Sequence, residues 1–297
     1  MAADLFTFDL RGRFRRGDTV VRLLYLNIGV FVLVALVNLV LMLFRWSTAY
    51  WTNCLELPAS LQQLARQPWS LVTYMFMHAG LLHLVFNMLW LFWFGKLFLQ
   101  FFSARHLRGL YLLGGICGGL LYILAFNVFP YFSDAVYLSY LLGASASVLA
   151  IVFAVGLSQP DLEVQFLLVG RMRLKYVALA VFLLDLFFIT SDNGGGHIAH
   201  IGGALAGCWF VTGLRKGYDV TRWINAVFDG VGRLFVRTPR RPKMTVHFSD
   251  RKKDYEYNAR KKERNEAIDR ILDKLRHSGY NSLTDDEKRQ LFDASKK

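Results

Sequence analysis

Six apolar stretches run along the chain, at about 21–44, 79–101, 107–128, 144–157, 174–190 and 197–214. A helix needs about 20 apolar residues to cross a bilayer core of about 30 Å, and several of these stretches reach or approach that length. The pattern therefore predicts an all-α membrane protein with six spans. The fourth stretch holds only about 14 residues, about 21 Å of helix. It is expected to begin below the membrane surface, with the preceding loop dipping inward. Irregular backbone at that depth must line protein or water, so a water-filled cavity is expected above residue 145.

Small residues refine the picture. Gly114, Gly115, Gly118 and Gly119 form two overlapping GxxxG patterns in the third stretch, and Gly203 and Gly207 form another in the sixth. Such residues let helix backbones approach closely in a membrane. The long segment 45–78 carries Trp46, Trp51 and Trp69 together with Pro58 and Pro68. Tryptophan prefers the membrane interface, so this segment is expected to lie partly in the outer leaflet.

Charge adds orientation. The chain of 297 residues is 54% hydrophobic and carries a net charge of +13. Its basic residues lie between and after the apolar runs, as topology signals do, rather than as a nucleic-acid surface. If the N-terminus is inside, the loops 45–78, 129–142 and 191–196 are outside. Of 35 Lys and Arg, these loops hold only Arg45 and Arg66. The expected domains are a basic cytoplasmic arm at 1–20, a six-span domain at 21–214 and a basic cytoplasmic tail at 215–297. The run from Val21 is too long for a signal-peptide core and shows no clear cleavage site, so it is expected to stay as the first span. In the tail, 237–253 has linker composition. Tyr255 to Leu275 has helical spacing, and Thr284-Asp285-Asp286-Glu287 is a capping-box pattern. The tail shows no identifiable chemistry. It is read as either a solvated charged segment or a small docking module, with no partner indicated.

The candidate chemistry lies at the outer ends of three spans. Ser145 in Gly143-Ala144-Ser145-Ala146-Ser147 opens the fourth. His200 in Ala199-His200-Ile201-Gly202-Gly203 is about one turn into the sixth. His83 and Asn87 lie in the second and share a face at i, i+4. All four fall in the outer third of the membrane on one side. A serine hydroxyl becomes a nucleophile when a base takes its proton, and His200 is the candidate base. The same residues also admit plain packing roles, since Ser, His and Asn commonly bond neighbouring helices in membranes. A metal set of His78, His83, His197, His200 and Asp185 is conceivable, Asp185 being the acid well inside a span. Three cysteines, Cys54, Cys117 and Cys208, imply no disulfide framework, and neither zinc-type Cys/His spacing nor HExxH is present.

On these residues the chain resembles the rhomboid intramembrane serine proteases. The resemblance covers about 69–214 and the first span. Four segments match in order: Trp69 with Phe76-Met77-His78-Ala79-Gly80, His83-Leu84-Val85-Phe86-Asn87, Gly143-Ala144-Ser145-Ala146, and Ala199-His200-Ile201-Gly202-Gly203 with Gly207. It implies a rhomboid-like six-helix bundle and a Ser–His dyad of Ser145 and His200, with no acidic third member needed. It also implies oxyanion stabilisation by a backbone N–H at the serine and by His83 and Asn87. Gly203 would let the fourth and sixth spans approach. No cofactor is implied; the expected partners are transmembrane protein substrates and the lipid bilayer. Three positions depart from the family. Ala146 replaces a glycine, Leu149 an aromatic that packs on the histidine, and Ser70 the arginine of a Trp-Arg pair. The alternatives are a non-catalytic rhomboid-like protein that binds transmembrane helices, and a transporter or metal-handling protein. The Arg-rich start and the lack of a transit peptide suit a bacterial inner membrane with both termini cytoplasmic.

Overall fold

A computed structural model describes residues 18–166, 170–235 and 251–295. Arg11, Arg13, Arg15 and Arg16 of the expected basic arm, and most of the expected linker 237–253, lie outside the described residues. The chain divides into two compact units, Met1–Arg237 and Thr238–Lys297.

The first unit begins with helix α1, Thr19–Leu43. Asp18 caps it, its Oδ1 accepting from Val21 N–H at 3.1 Å, and pairs with Lys96. Such a cap satisfies one of the four N–H groups that every helix start leaves without a partner. The expected loop 45–78 is not plain loop. It folds into α2 (Ala49–Asn53), strand β1 (Leu57–Pro58), α3 (Leu61–Arg66), α4 (Ser70–Thr73) and a 3-10 turn at Tyr74–Phe76. Side chains tie it together. Trp69 Nε1 donates to Cys54 O at 2.8 Å, Thr73 Oγ1 to Leu55 O at 2.7 Å, and Gln67 Nε2 to Asn53 O at 2.9 Å.

Then follow α5 (Leu81–Phe101), α6 (Ala104–Val128), a 3-10 stretch at Pro130–Ala135, strand β2 (Tyr140–Leu141) and α7 (Ser145–Ser158). A hairpin of β3 (Glu163–Phe166) and β4 (Gly170–Arg173) leads into α8 (Leu174–Phe187), α9 (Gly194–Arg215) and α10 (Arg222–Phe235). The architecture is mainly helical rather than strictly all-α. The β3–β4 hairpin and the antiparallel pair of Leu57 with Leu141 are elements the apolar pattern did not predict. Both are short and local, too brief for a periodic signal.

Among the described residues four helices, α1, α5, α6 and α9, are long and apolar enough to cross a membrane. The chain is an integral membrane protein. Helices α7 and α8 have 14 residues each, short of a full crossing at 1.5 Å per residue. Helix α1 is peripheral: Leu33, Leu36, Leu39 and Leu43 are exposed on it. Helix α6 is central, packed on α7 and α9.

Glycine decides which helices meet. A Cβ on Gly118 would lie 2.7 Å from both the Ala146 Cβ and the Ala199 carbonyl oxygen. One on Gly202 would lie 2.7 Å from the Cys117 carbonyl oxygen, and one on Gly207 2.9 Å from Phe153 Cβ. Only hydrogen fits there, so α6, α7 and α9 come into backbone contact. At the opposite end from residue 145 the ionic groups collect. Arg105 pairs with Asp229 at 2.7 Å, Arg108 Nη2 pairs with the same carboxylate at 3.1 Å, and Arg215 Nη2 donates to Leu157 O at 2.8 Å. Through these contacts α10, drawn into the tail by composition, belongs to the first unit.

The second unit is a helical pair, α11 (Arg251–Ser278) and α12 (Asp285–Ser295). Thr284 and Glu287 form the capping box in both directions: Thr284 N–H donates to Glu287 Oε2 at 2.7 Å, and Glu287 N–H to Thr284 Oγ1 at 3.4 Å. Lys274 Nζ reaches Glu287 at 2.9 Å, and Ile271 and Leu283 are buried.

Candidate active site

The site forms where the first two turns of α5 and α9 meet the start of α7. Ser145 is the first residue of α7. Gly143 before it has φ +128°, a backbone that side chains rarely permit. A Cβ there would also strike the His83 ring, 2.9 Å from Cε1. Gly143 N–H donates to Tyr74 O at 2.9 Å, which ties this entry to the braced segment before α5. The hydroxyl of Ser145 thus stands at a helix start whose first N–H groups have no partner within the helix.

His200 Nε2 lies 2.7 Å from Ser145 Oγ. The two residues are 55 positions apart and meet because Gly203, one turn further along α9, lets the backbone of Ala146 press against it. His83 lies across the opening. Its Nδ1 accepts from Ala79 N–H at 3.3 Å, which leaves the ring proton on Nε2, beside Gly143. Asn87 is buried one turn deeper. One N–H of its amide donates to His83 O at 2.9 Å, and the other remains to donate.

These groups line a cavity of about 1030 Å³. Its floor is Ser145, Val148 and Leu149. One wall is Phe86, Asn87 and Trp90 of α5, and the other is Val181, Leu184 and Asp185 of α8 with Phe188 just past its end. Leu149, at a position where an aromatic was expected, is an aliphatic part of that floor. Ser147 is different. Two positions on from Ser145, it points to the other side of α7, where its hydroxyl is buried without a hydrogen-bond partner. Ser70 is likewise buried with no partner for its hydroxyl.

The five residues of the conceivable metal set do not converge. His78 and His83 stack edge-on at 5.3 Å. His78 is held down to about 4 by burial and then by the adjacent His83, so it is neutral at pH 7. Asp185, His197 and His200 do gather: Asp185 Oδ1 is 2.7 Å from His200 Nδ1 and 2.8 Å from His197 Nδ1. The sequence groups Asp185 with His197 and His200 only as part of the conceivable metal set, not as a hydrogen-bond partner of His200. The available signal was an acid deep in an apolar stretch, which by default marks a functional group.

Residues 65–217 match the Rhomboid domain model, and the chain belongs to the rhomboid family. Residues 251–297 match a second model, a family of unknown function designated DUF6576. No curated protein matches the chain.

Proposed function

We propose that the chain is an intramembrane serine endopeptidase, in which Ser145 is the nucleophile and His200 the general base. The observation that carries this is the 2.7 Å separation of Ser145 Oγ and His200 Nε2 within a cavity that also holds His83 and Asn87. Rhomboid membership supports it, since members of that family are usually intramembrane serine proteases.

In this reading Oγ attacks the scissile carbonyl carbon as its proton passes to Nε2. The oxyanion that forms is met by donors already in place: the Ser145 backbone N–H, His83 Nε2–H and the free Asn87 N–H. The C–N bond breaks as the imidazolium returns the proton to the leaving amine. Water then enters the cavity and repeats the sequence on the acyl-enzyme, with His200 again the base. Substrates are single-span membrane proteins, unwound near the outer face because helical amides are shielded.

The six-span count, with α7 and α8 as short spans, belongs to the same proposal. So do the cytoplasmic placement of both termini, a bacterial inner membrane, and the division into arm, protease domain and tail. The test is labelling of the full chain in detergent by a fluorophosphonate probe, alongside cleavage of a model transmembrane substrate. Ser145→Ala and His200→Ala should each abolish both, the double variant should be no worse than either, and Ser147→Ala should keep most activity. Intact labelling in Ser145→Ala would overturn the nucleophile. Absence of labelling and cleavage in the unaltered protein would favour a rhomboid-like protein that only binds transmembrane helices.

A further inference from the structure

The reading of Ser145 and His200 as nucleophile and base leaves one group unused, the carboxylate of Asp185. Resting on that reading, we propose that Asp185 is a positioning residue that fixes the tautomer and orientation of His200, so that this chain works with a Ser–His–Asp relay of contacts.

Asp185 lies near the end of α8, with its side chain 8% exposed. Its Oδ1 receives both His200 Nδ1 at 2.7 Å and His197 Nδ1 at 2.8 Å. An ionised carboxylate only accepts hydrogen bonds, so each imidazole must donate from Nδ1. For His200 that leaves Nε2 bare, facing Ser145 Oγ at 2.7 Å. That is the one neutral tautomer able to take the serine proton. With the proton on Nε2 instead, the ring would offer Ser145 a donor and could not act as base.

Orientation follows from the same contact. The ring of His200 is met edge-on by His197, centroids 5.8 Å apart, and Leu149, which lines the same cavity, offers no hydrogen bond. Asp185 is thus the polar group that holds the ring plane. His197, whose own ring packs on Phe188 at 5.8 Å, is a second donor that keeps the carboxylate turned inward. The titratable groups that share the cavity with His200 are Asp185 from α8, His197 from its own helix, His83 from α5, and Tyr122, Tyr131, Tyr140 and Asp192. During attack the Oγ proton moves to Nε2 and the Nδ1 proton stays on His200. Asp185 accepts from that Nδ1–H throughout and offsets the imidazolium charge.

The same three atoms lie within 4.8 Å of one another and invite a metal reading. The spacing argues against it. Ligands about 2.0–2.1 Å from a tetrahedral zinc sit about 3.3 Å apart. Asp185 Oδ1 stands at hydrogen-bond distance, 2.7 and 2.8 Å, from the two nitrogens.

The experiment is 15N NMR of the full chain labelled at histidine, in detergent, paired with kinetics. The unaltered protein should show His200 protonated at Nδ1 and bare at Nε2, unchanged by EDTA. Asp185→Asn should move the proton to Nε2 and lower kcat by about 10²–10⁴-fold, the upper figure being the cost of that change in a Ser–His–Asp site. KM and the thermal midpoint should stay near those of the unaltered protein. Asp185→Glu should restore the Nδ1–H signal and part of kcat, which a purely structural role would not produce. Three results would overturn the proposal: Nε2–H in the unaltered protein, Asp185→Asn keeping kcat within about threefold, or EDTA shifting the histidine signals with recovery on adding zinc. Should the tautomer depend on Asp185 while Ser145 takes no probe and no substrate is cut, the protease reading fails and the positioning of His200 stands.

Discussion

The tightest test of how the site is assembled is Gly203→Ala. A Cβ at 203 would lie 3.0 Å from Ala146 Cα, 2.8 Å from its carbonyl carbon and closer still to its carbonyl oxygen. Favourable spacing between carbon atoms begins at about 3.5 Å, so α7 and α9 must part by about 1 Å. Ala146 directly follows Ser145, and Gly203 is one turn from His200, so the shift falls on the 2.7 Å contact between Oγ and Nε2. A misplacement of about 1 Å can cost about 10²-fold in rate, and overpacking of this kind costs about 1–3 kcal/mol of stability. The assay is the rate of fluorophosphonate labelling of Ser145, with thermal unfolding in detergent measured on the same samples. Gly80→Ala is the control, because Gly80 has extended backbone and no atom within 4 Å of an added Cβ. Labelling within about threefold of the unaltered protein, at an unchanged thermal midpoint, would refute the argument that this close approach sets the site.

Further expectations follow from single groups. Asn87→Ala should lower kcat by about 10²–10³-fold with KM little changed if its free N–H meets the oxyanion; lower stability with normal kcat would make its bond to the His83 carbonyl the whole of its role. His83→Ala, measured in parallel with the double variant, shows whether the two donors share the oxyanion. His78 takes a proton near 6.5 in the unfolded chain and only at about 4 in the native one. Its contribution is therefore complete above about pH 6.5 and is lost as pH falls through that window; thermal midpoints should drop from pH 6.5 to 4, and His78→Gln should flatten the slope. Cysteine accessibility should place positions 53 and 171 on opposite sides of the membrane, and finding both on one side would end the six-span reading.

Much was legible along the chain because it is local. Length and apolar composition announce α1, α5, α6 and α9. The Thr284 to Glu287 spacing announces the start of α12, since capping needs only residues three apart. Family membership was legible too, because its motifs are short and ordered along the chain. The β3–β4 hairpin and the short helices between 45 and 78 were not, being too brief to leave a period.

The sequence by itself determined where the long helices run and which polar residues fall near their ends, because the 3.6-residue period and the 1.5 Å rise are properties of a single helix. The rotation of one helix against another is not such a property. Only the tertiary structure decided that α6, and not the more apolar α1, is central, because hydrogen atoms at Gly118, Gly202 and Gly207 admit neighbouring backbone there. Only it turned Ser145 toward His200 and Ser147 away. And only it brought Asp185 from α8 to within 2.7 Å of His200, since packing between helices, not spacing within one, sets such a distance.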